Sequence, residues 1–166
     1  VEATIKDNTI IIYGEANTKA NLDYAKLARE VLVDIGYDDE FEVIVLVSCQ
    51  SDEINKAVCQ EEIMAGDQGI MFGYACSDTS ELMPLPITLA NRLCFKLSQL
   101  RKNQGIDYLN PDGKSQVTVE YVDGVPIRVD TIIMAVCHKE TISLEDLKKF
   151  IFEKVILEVI PNEYLD

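Results

Sequence analysis

The sequence predicts an α+β protein built of two related units, each laying helices on one face of a mostly antiparallel sheet. Three observations predict it. Short β-rich runs come in pairs around turn residues, at Asp7-Asn8 and at Asp123-Gly124. Apolar stripes at three- and four-residue spacing mark helices over 22–35 and after Pro84 and Pro86. A hairpin-then-helix plan occurs in both halves, without a direct sequence repeat.

The elements follow in order. Val1 to Lys6 alternate, Asp7-Asn8 supplies turn chemistry, and Ile10-Ile11-Ile12-Tyr13 is β-rich, so residues 1–15 read as a hairpin. Leu22, Ala25, Ala28, Leu32 and Ile35 share a helical face, and Gly36 stands where a C-terminal cap belongs. Phe41 to Ser48 is an apolar run that reads as a buried strand. Residues 49–63 are mixed polar and carry no clear period. Pro84 and Pro86 introduce a helix with Leu89, Leu93, Leu97 and Leu100 as its stripe, and Arg101-Lys102 suit the negative end of its dipole. Asn110-Pro111-Asp112-Gly113-Lys114 reads as a turn. Val117, Val119 and Tyr121 alternate in a strand, Asp123-Gly124 turns the chain, and Ile127 to Val136 returns. Ser143 with Asp146 resembles a capping box opening a last helix through Ile160, which Pro161 ends.

Composition bounds the function. The 166 residues fit one domain or two small ones, and 48% hydrophobic with 27% charged residues is ordinary for a globular chain. A net charge of -14 repels phosphate backbones and anionic membrane surfaces, so neither nucleic acid nor membrane is expected as a partner. A polyphosphate ligand would need local cations that reverse the sign. Cys49, Cys59, Cys76, Cys94 and Cys137 form no Cys-x-x-Cys pair and read as buried thiols in a reducing compartment. His138 is the only histidine, so no paired His and Cys zinc site is expected. No apolar stretch reaches the ~18 residues of a membrane span. The chain starts inside a strand with no initiating methionine or leader, and reads as a fragment or the ordered part of a longer protein.

Gly66-Asp67-Gln68-Gly69, taken alone, is either a plain tight turn or a loop where backbone approaches a ligand. The longer context narrows this. Ala65 to Tyr74, then Met83-Pro84-Leu85-Pro86-Ile87, then Arg101-Lys102-Asn103, and Tyr108 to Thr118 with Asp112-Gly113-Lys114, stand in an order that resembles the S-adenosylmethionine synthetase family. Gly14-Glu15, Gln50-Ser51-Asp52-Glu53-Ile54 and Ile160 to Leu165 are similar to further segments of that family, so the resemblance covers essentially the whole chain. Met64 stands where the family signature has glycine.

The resemblance implies a methionine adenosyltransferase: the methionine sulfur attacks C5′ of ATP, and the tripolyphosphate leaves and is cleaved to pyrophosphate and phosphate. A thioether has no proton to remove, so such a step needs in-line positioning and stabilisation of the leaving polyphosphate rather than a general base. By resemblance, Glu15, Gln50 and Asp67 bind methionine, with Gln50 at the edge of a mobile loop. Asp112, Gly113 and Lys114 bind ATP, Lys114 is the catalytic electrostatic stabiliser, and Glu2 holds potassium. Mg²⁺ and K⁺ are the implied cofactors. A cytoplasmic homodimer or dimer of dimers is the implied assembly.

The resemblance divides the chain into 1–61, part of the N-terminal repeat with its mobile loop, and 62–166, the central repeat. The family's His-Pro-Asp-Lys segment and its glycine-rich Gly-Gly-Gly-Ala-Phe-Ser-x-Lys-Asp segment do not occur in the sequence. The chain by itself is therefore expected to hold only part of a site and to be inactive alone. The alternative reading is a non-catalytic, synthetase-like subunit that regulates a partner enzyme. The retained Glu15, Gln50, Asp67 and Lys114 count against it.

Overall fold

The computed structural model describes residues 1–37, 40–53, 56 and 69–165. The chain separates into two compact units, Val1–Met71 and Phe72–Asp166.

In the first unit, β1 (Glu2–Lys6) and β2 (Thr9–Glu15) form the expected antiparallel hairpin, with Glu2 opposite Tyr13 and Lys6 opposite Thr9. Asp7 adopts a left-handed φ of 51°, a conformation aspartate tolerates in tight turns. Helix α1 (Tyr24–Ile35) starts where the Asp23 carboxylate accepts from the Lys26 backbone N–H at 2.9 Å. It stops at Gly36, whose φ of 102° turns its N–H onto the carbonyls of Leu32 and Val33.

β3 (Glu42–Ser48) then pairs with β2, and the sheet order is β1-β2-β3. The β2–β3 pair is parallel, because α1 carries the chain back before β3 begins. One expectation is corrected here: β3 is not buried but lies at the edge of the described sheet, and Ile44, Val45 and Leu46 are 37%, 39% and 62% exposed. Ile10 and Ile12 of β2 are buried. Together with Ile5, Leu27, Ala28 and Val31 they line an open apolar groove of about 360 Å³ between α1 and the hairpin.

The second unit has the larger core. Helix α2 (Leu85–Gln104) buries Leu85, Leu89, Leu93, Leu97 and Leu100 along one side, as the stripe predicts. β4 (Leu109–Val122) and β5 (Val125–His138) form a long antiparallel hairpin. Asp123 and Gly124 turn it with φ of 50° and 79°, a pair of positive angles that matches the twist of the strands. Asn110 to Lys114 is strand, not turn. A register shift between Leu109 and Gly113 accommodates Pro111, whose missing N–H would interrupt a regular ladder.

Ser143 opens α3 (Leu144–Ile151): its hydroxyl oxygen accepts from the Asp146 N–H at 3.1 Å and donates to the Asp146 carboxylate at 2.7 Å. The helix runs on through a π turn at Phe152–Ile156 and a last turn at Leu157–Val159, before Pro161. Leu89, Leu93 and Val155 are completely buried where α2 and this C-terminal helix meet the hairpin.

The segment before α2 is tied to the hairpin by one carboxylate. Asp78 accepts from the Tyr121 hydroxyl at 2.7 Å and from the Leu85 N–H at 3.3 Å. The Tyr121 bond, then the Leu85 bond, lower the Asp78 pKa below its ordinary 3.8. Burial, then the Asp78 bond, raise Tyr121 from 10.0 to about 12. Protonated Tyr121 is favoured by folding, so its contribution is whole below pH 10.0 and is lost as pH rises towards about 12. Ionised Asp78 is favoured by folding, so its contribution is present above pH 3.8 and lost as pH falls through the lowered folded value. The urea midpoint should therefore decline between pH 10 and 12, and Tyr121→Phe should show a smaller decline. An identical alkaline decline in the variant would refute the assignment.

Candidate functional site

In the first unit the parallel pairing of β2 and β3 sets the geometry. Glu15 ends β2 opposite Ser48, which ends β3, and the Ala16 N–H donates to the Ser48 carbonyl at 2.9 Å. Gln50 lies two residues beyond Ser48, after Cys49, so Glu15 and Gln50 leave the sheet at the same carboxyl edge. That edge is where strands of parallel sheets present ligand-binding groups. Glu15 is exposed and Gln50 half-buried.

Glu2, on β1, sits opposite Tyr13, whose hydroxyl donates to a Glu2 carboxylate oxygen at 3.0 Å. That bond, and then the carboxylate charge, raise the Tyr13 pKa above its ordinary value. Side chains two apart on a strand share a face, so Glu2, Tyr13 and Glu15 line one side of the sheet, opposite Ile10 and Ile12. Tyr13 was not among the candidates read from the sequence. The alternation that places Glu15 also places Tyr13, two residues earlier.

Asp67 lies outside the described residues, as do Ile54, Met64, Ala65, Gly66 and Gln68. Of that run, Ile70, Met71, Phe72 and Tyr74 are strongly exposed and belong to no helix or strand.

In the second unit Asp112, Gly113 and Lys114 sit in β4. Gly113 faces α2 so closely that a Cβ there would stand 3.0 Å from Leu97 Cδ2. Ser115 faces the same way: its hydroxyl donates to the Ala90 carbonyl at 2.7 Å, and Cys94 Sγ lies 3.1 Å from it. Lys114, between them, projects to the other, exposed face of the hairpin. Among the described residues it makes no ion pair. Its charge is therefore not already neutralised. Asp112, exposed in the bulged stretch, rims a cleft of about 120 Å³ lined also by Cys94, Ser98, Arg101 and Asn110. Asn110 reaches across to β5 and donates to Cys137 Sγ at 3.4 Å.

Cys49 and Cys137 are exposed, and Cys76 and Cys94 half-buried, so the expectation of buried thiols is overturned; Cys59 lies outside the described residues. Cys49 follows the edge strand β3, and Cys137 lies one residue before the end of β5. Among the described residues no three His, Cys, Asp or Glu side chains cluster as a metal site. Glu2 offers a single carboxylate with one oxygen engaged by Tyr13, which is short of the several oxygen ligands a hard cation requires. The described residues by themselves therefore do not assemble a magnesium site. Among the described residues no helix is long and apolar enough to cross a membrane.

The profile of the S-adenosylmethionine synthetase central domain matches residues 62–166. An S-adenosylmethionine synthase of Sulfurovum is 45% identical to the chain, over 99% of the chain and 45% of the relative. One of Helicobacter pylori is 42% identical with the same coverage. The chain therefore spans 45% of the length of these relatives.

Proposed function

Because the chain belongs to the S-adenosylmethionine synthetase family, we propose that it carries the methionine- and nucleotide-binding part of a methionine adenosyltransferase. In this reading it works with the segments its relatives carry outside the matched 45%. Residues 1–61 belong to an N-terminal repeat and 62–166 to the central one. The observation that supports the reading best is Lys114, an exposed cation that makes no ion pair among the described residues, held on a bonded strand near Asp112 in a chain of net charge -14.

The roles follow from chemistry and placement. Glu15 offers a carboxylate to the methionine ammonium, with Gln50 beside it at the same sheet edge, and Asp67 completes the methionine contacts. Asp112 and the Gly113 backbone contact the nucleoside. A sulfur lone pair forms the S–C5′ bond as the C5′–O bond breaks, and the electron pair leaves with the tripolyphosphate. No proton moves, so no general base is required. Lys114 balances the negative charge that gathers on the leaving oxygen, where an ammonium suits a phosphate as a point charge.

Magnesium would supply further charge neutralisation and potassium a structural cation, with most of their ligands outside the described residues. A homodimer or dimer of dimers in the cytoplasm is part of the same proposal. The exposed Ile44 and Leu46 on β3 offer apolar surface for such an assembly.

The test is S-adenosylmethionine formation from ATP and methionine, with Mg²⁺ and K⁺, by the full-length polypeptide containing this sequence. Product that appears only with both substrates supports the reading. A folded full-length protein that binds neither substrate and forms no product overturns it, and favours the non-catalytic regulatory subunit.

A further inference from the structure

The Ser115 hydroxyl bond to α2 is the feature that the proposed chemistry leaves unused. We propose that Ser115 is a positioning residue: by bonding to the Ala90 carbonyl it fixes where Lys114 stands on β4. The inference rests on the reading of Lys114 given above.

Ser115 follows Lys114 directly, so their Cα atoms are about 3.8 Å apart and cannot move independently. Ser115 is opposite Met134, and Lys114 opposite Ala135, in the ladder with β5. The ladder fixes β4 relative to β5 but leaves the hairpin's depth against α2 to packing. Apolar contacts are non-directional and set that depth loosely. The Ser115 Oγ–Ala90 O bond, at 2.7 Å, is directional and short. Its acceptor is well chosen, because Ala90 lies between Leu89 and Leu93, both completely buried. The bond therefore ties the strand to the most deeply buried stretch of the helix. Gly113, two residues earlier, closes against Leu97 on the same side.

Lys114 has no ion pair of its own to orient it among the described residues, so its backbone position is its main constraint. A misplacement of about 1 Å in a group that stabilises a transition state can cost roughly a hundredfold in rate. Cys94 Sγ also touches the Ser115 hydroxyl, at 3.1 Å, and provides a control on the same surface.

The test is steady-state kinetics of the full-length polypeptide carrying single variants. Ser115→Ala should lower kcat about tenfold, with KM for ATP and methionine changed less than about threefold. Ser115→Thr, which keeps the hydroxyl, should recover most of the rate, and Cys94→Ala should stay within about twofold of the parent because the Ser115 bond survives. A Ser115→Ala enzyme with unchanged kcat overturns the proposal, and so does a loss in Cys94→Ala equal to that in Ser115→Ala. A Ser115→Thr enzyme as slow as Ser115→Ala also overturns it. Lys114→Ala separates the two levels: if it leaves the rate intact, the reading of Lys114 fails; if it abolishes the rate while Ser115→Ala has no effect, only the positioning role fails.

Discussion

Lys114→Ala in the full-length polypeptide is expected to slow S-adenosylmethionine formation by about 10²–10³-fold, the usual cost of removing one group that meets developing charge. Most of the loss should appear in kcat, since negative charge on the leaving oxygen develops between the bound ground state and the transition state. Stability should change little. The side chain is exposed, and among the described residues it makes no ion pair. Lys114→Arg should recover only part of the rate, because a planar guanidinium cannot occupy the place of a compact ammonium. Kinetics paired with urea unfolding checks both halves. A Lys114→Ala enzyme within twofold of the parent would exclude Lys114 from the chemistry.

Leu93→Ala should give the largest change in stability. Leu93 is completely buried between α2 and the hairpin, and leucine-to-alanine changes at such sites cost about 2.7–5 kcal/mol, depending on how far the cavity collapses. The equivalent change at Leu27, which is 45% exposed on α1, should cost about 1 kcal/mol or less. Urea unfolding of the two variants measures the contrast. A loss at Leu93 no greater than that at Leu27 would mean that α2 is not held by this core. Because α2 is also the surface behind β4, loosening it should blunt catalysis at temperatures where the variant remains folded.

How much was legible in the sequence depended on how local each feature is. The two hairpins, the α1 stop at Gly36 and the α2 leucine stripe come from contacts within a few residues, and all appear where the sequence places them. The burial of β3 was misread because an apolar run does not say how many elements cover a strand. Its parallel pairing is likewise set by a neighbour far along the chain. Asn110 to Lys114 has the composition of a turn, yet the long ladder with β5 overrides that local preference and absorbs Pro111 in a bulge.

For the site, the resemblance named the residues, and the strand register shows which of them lie near one another. Glu15 and Gln50 share an edge, and Tyr13 joins Glu2. The Ser115 bond was illegible because its acceptor is a backbone carbonyl that no sequence pattern marks.

The edge position of β3 also bears on how this polypeptide aggregates. Val43-Ile44-Val45-Leu46-Val47 is rich in β-branched residues and has neither charge nor proline. Among the described residues, only one of its two edges is paired. Such a strand is a template on which copies of itself can stack into fibrils. Glu42 is the gatekeeper at its start, and no charged residue follows until Asp52. The strand that leads to Gln50 is thus also the place where copies of this chain would begin to aggregate.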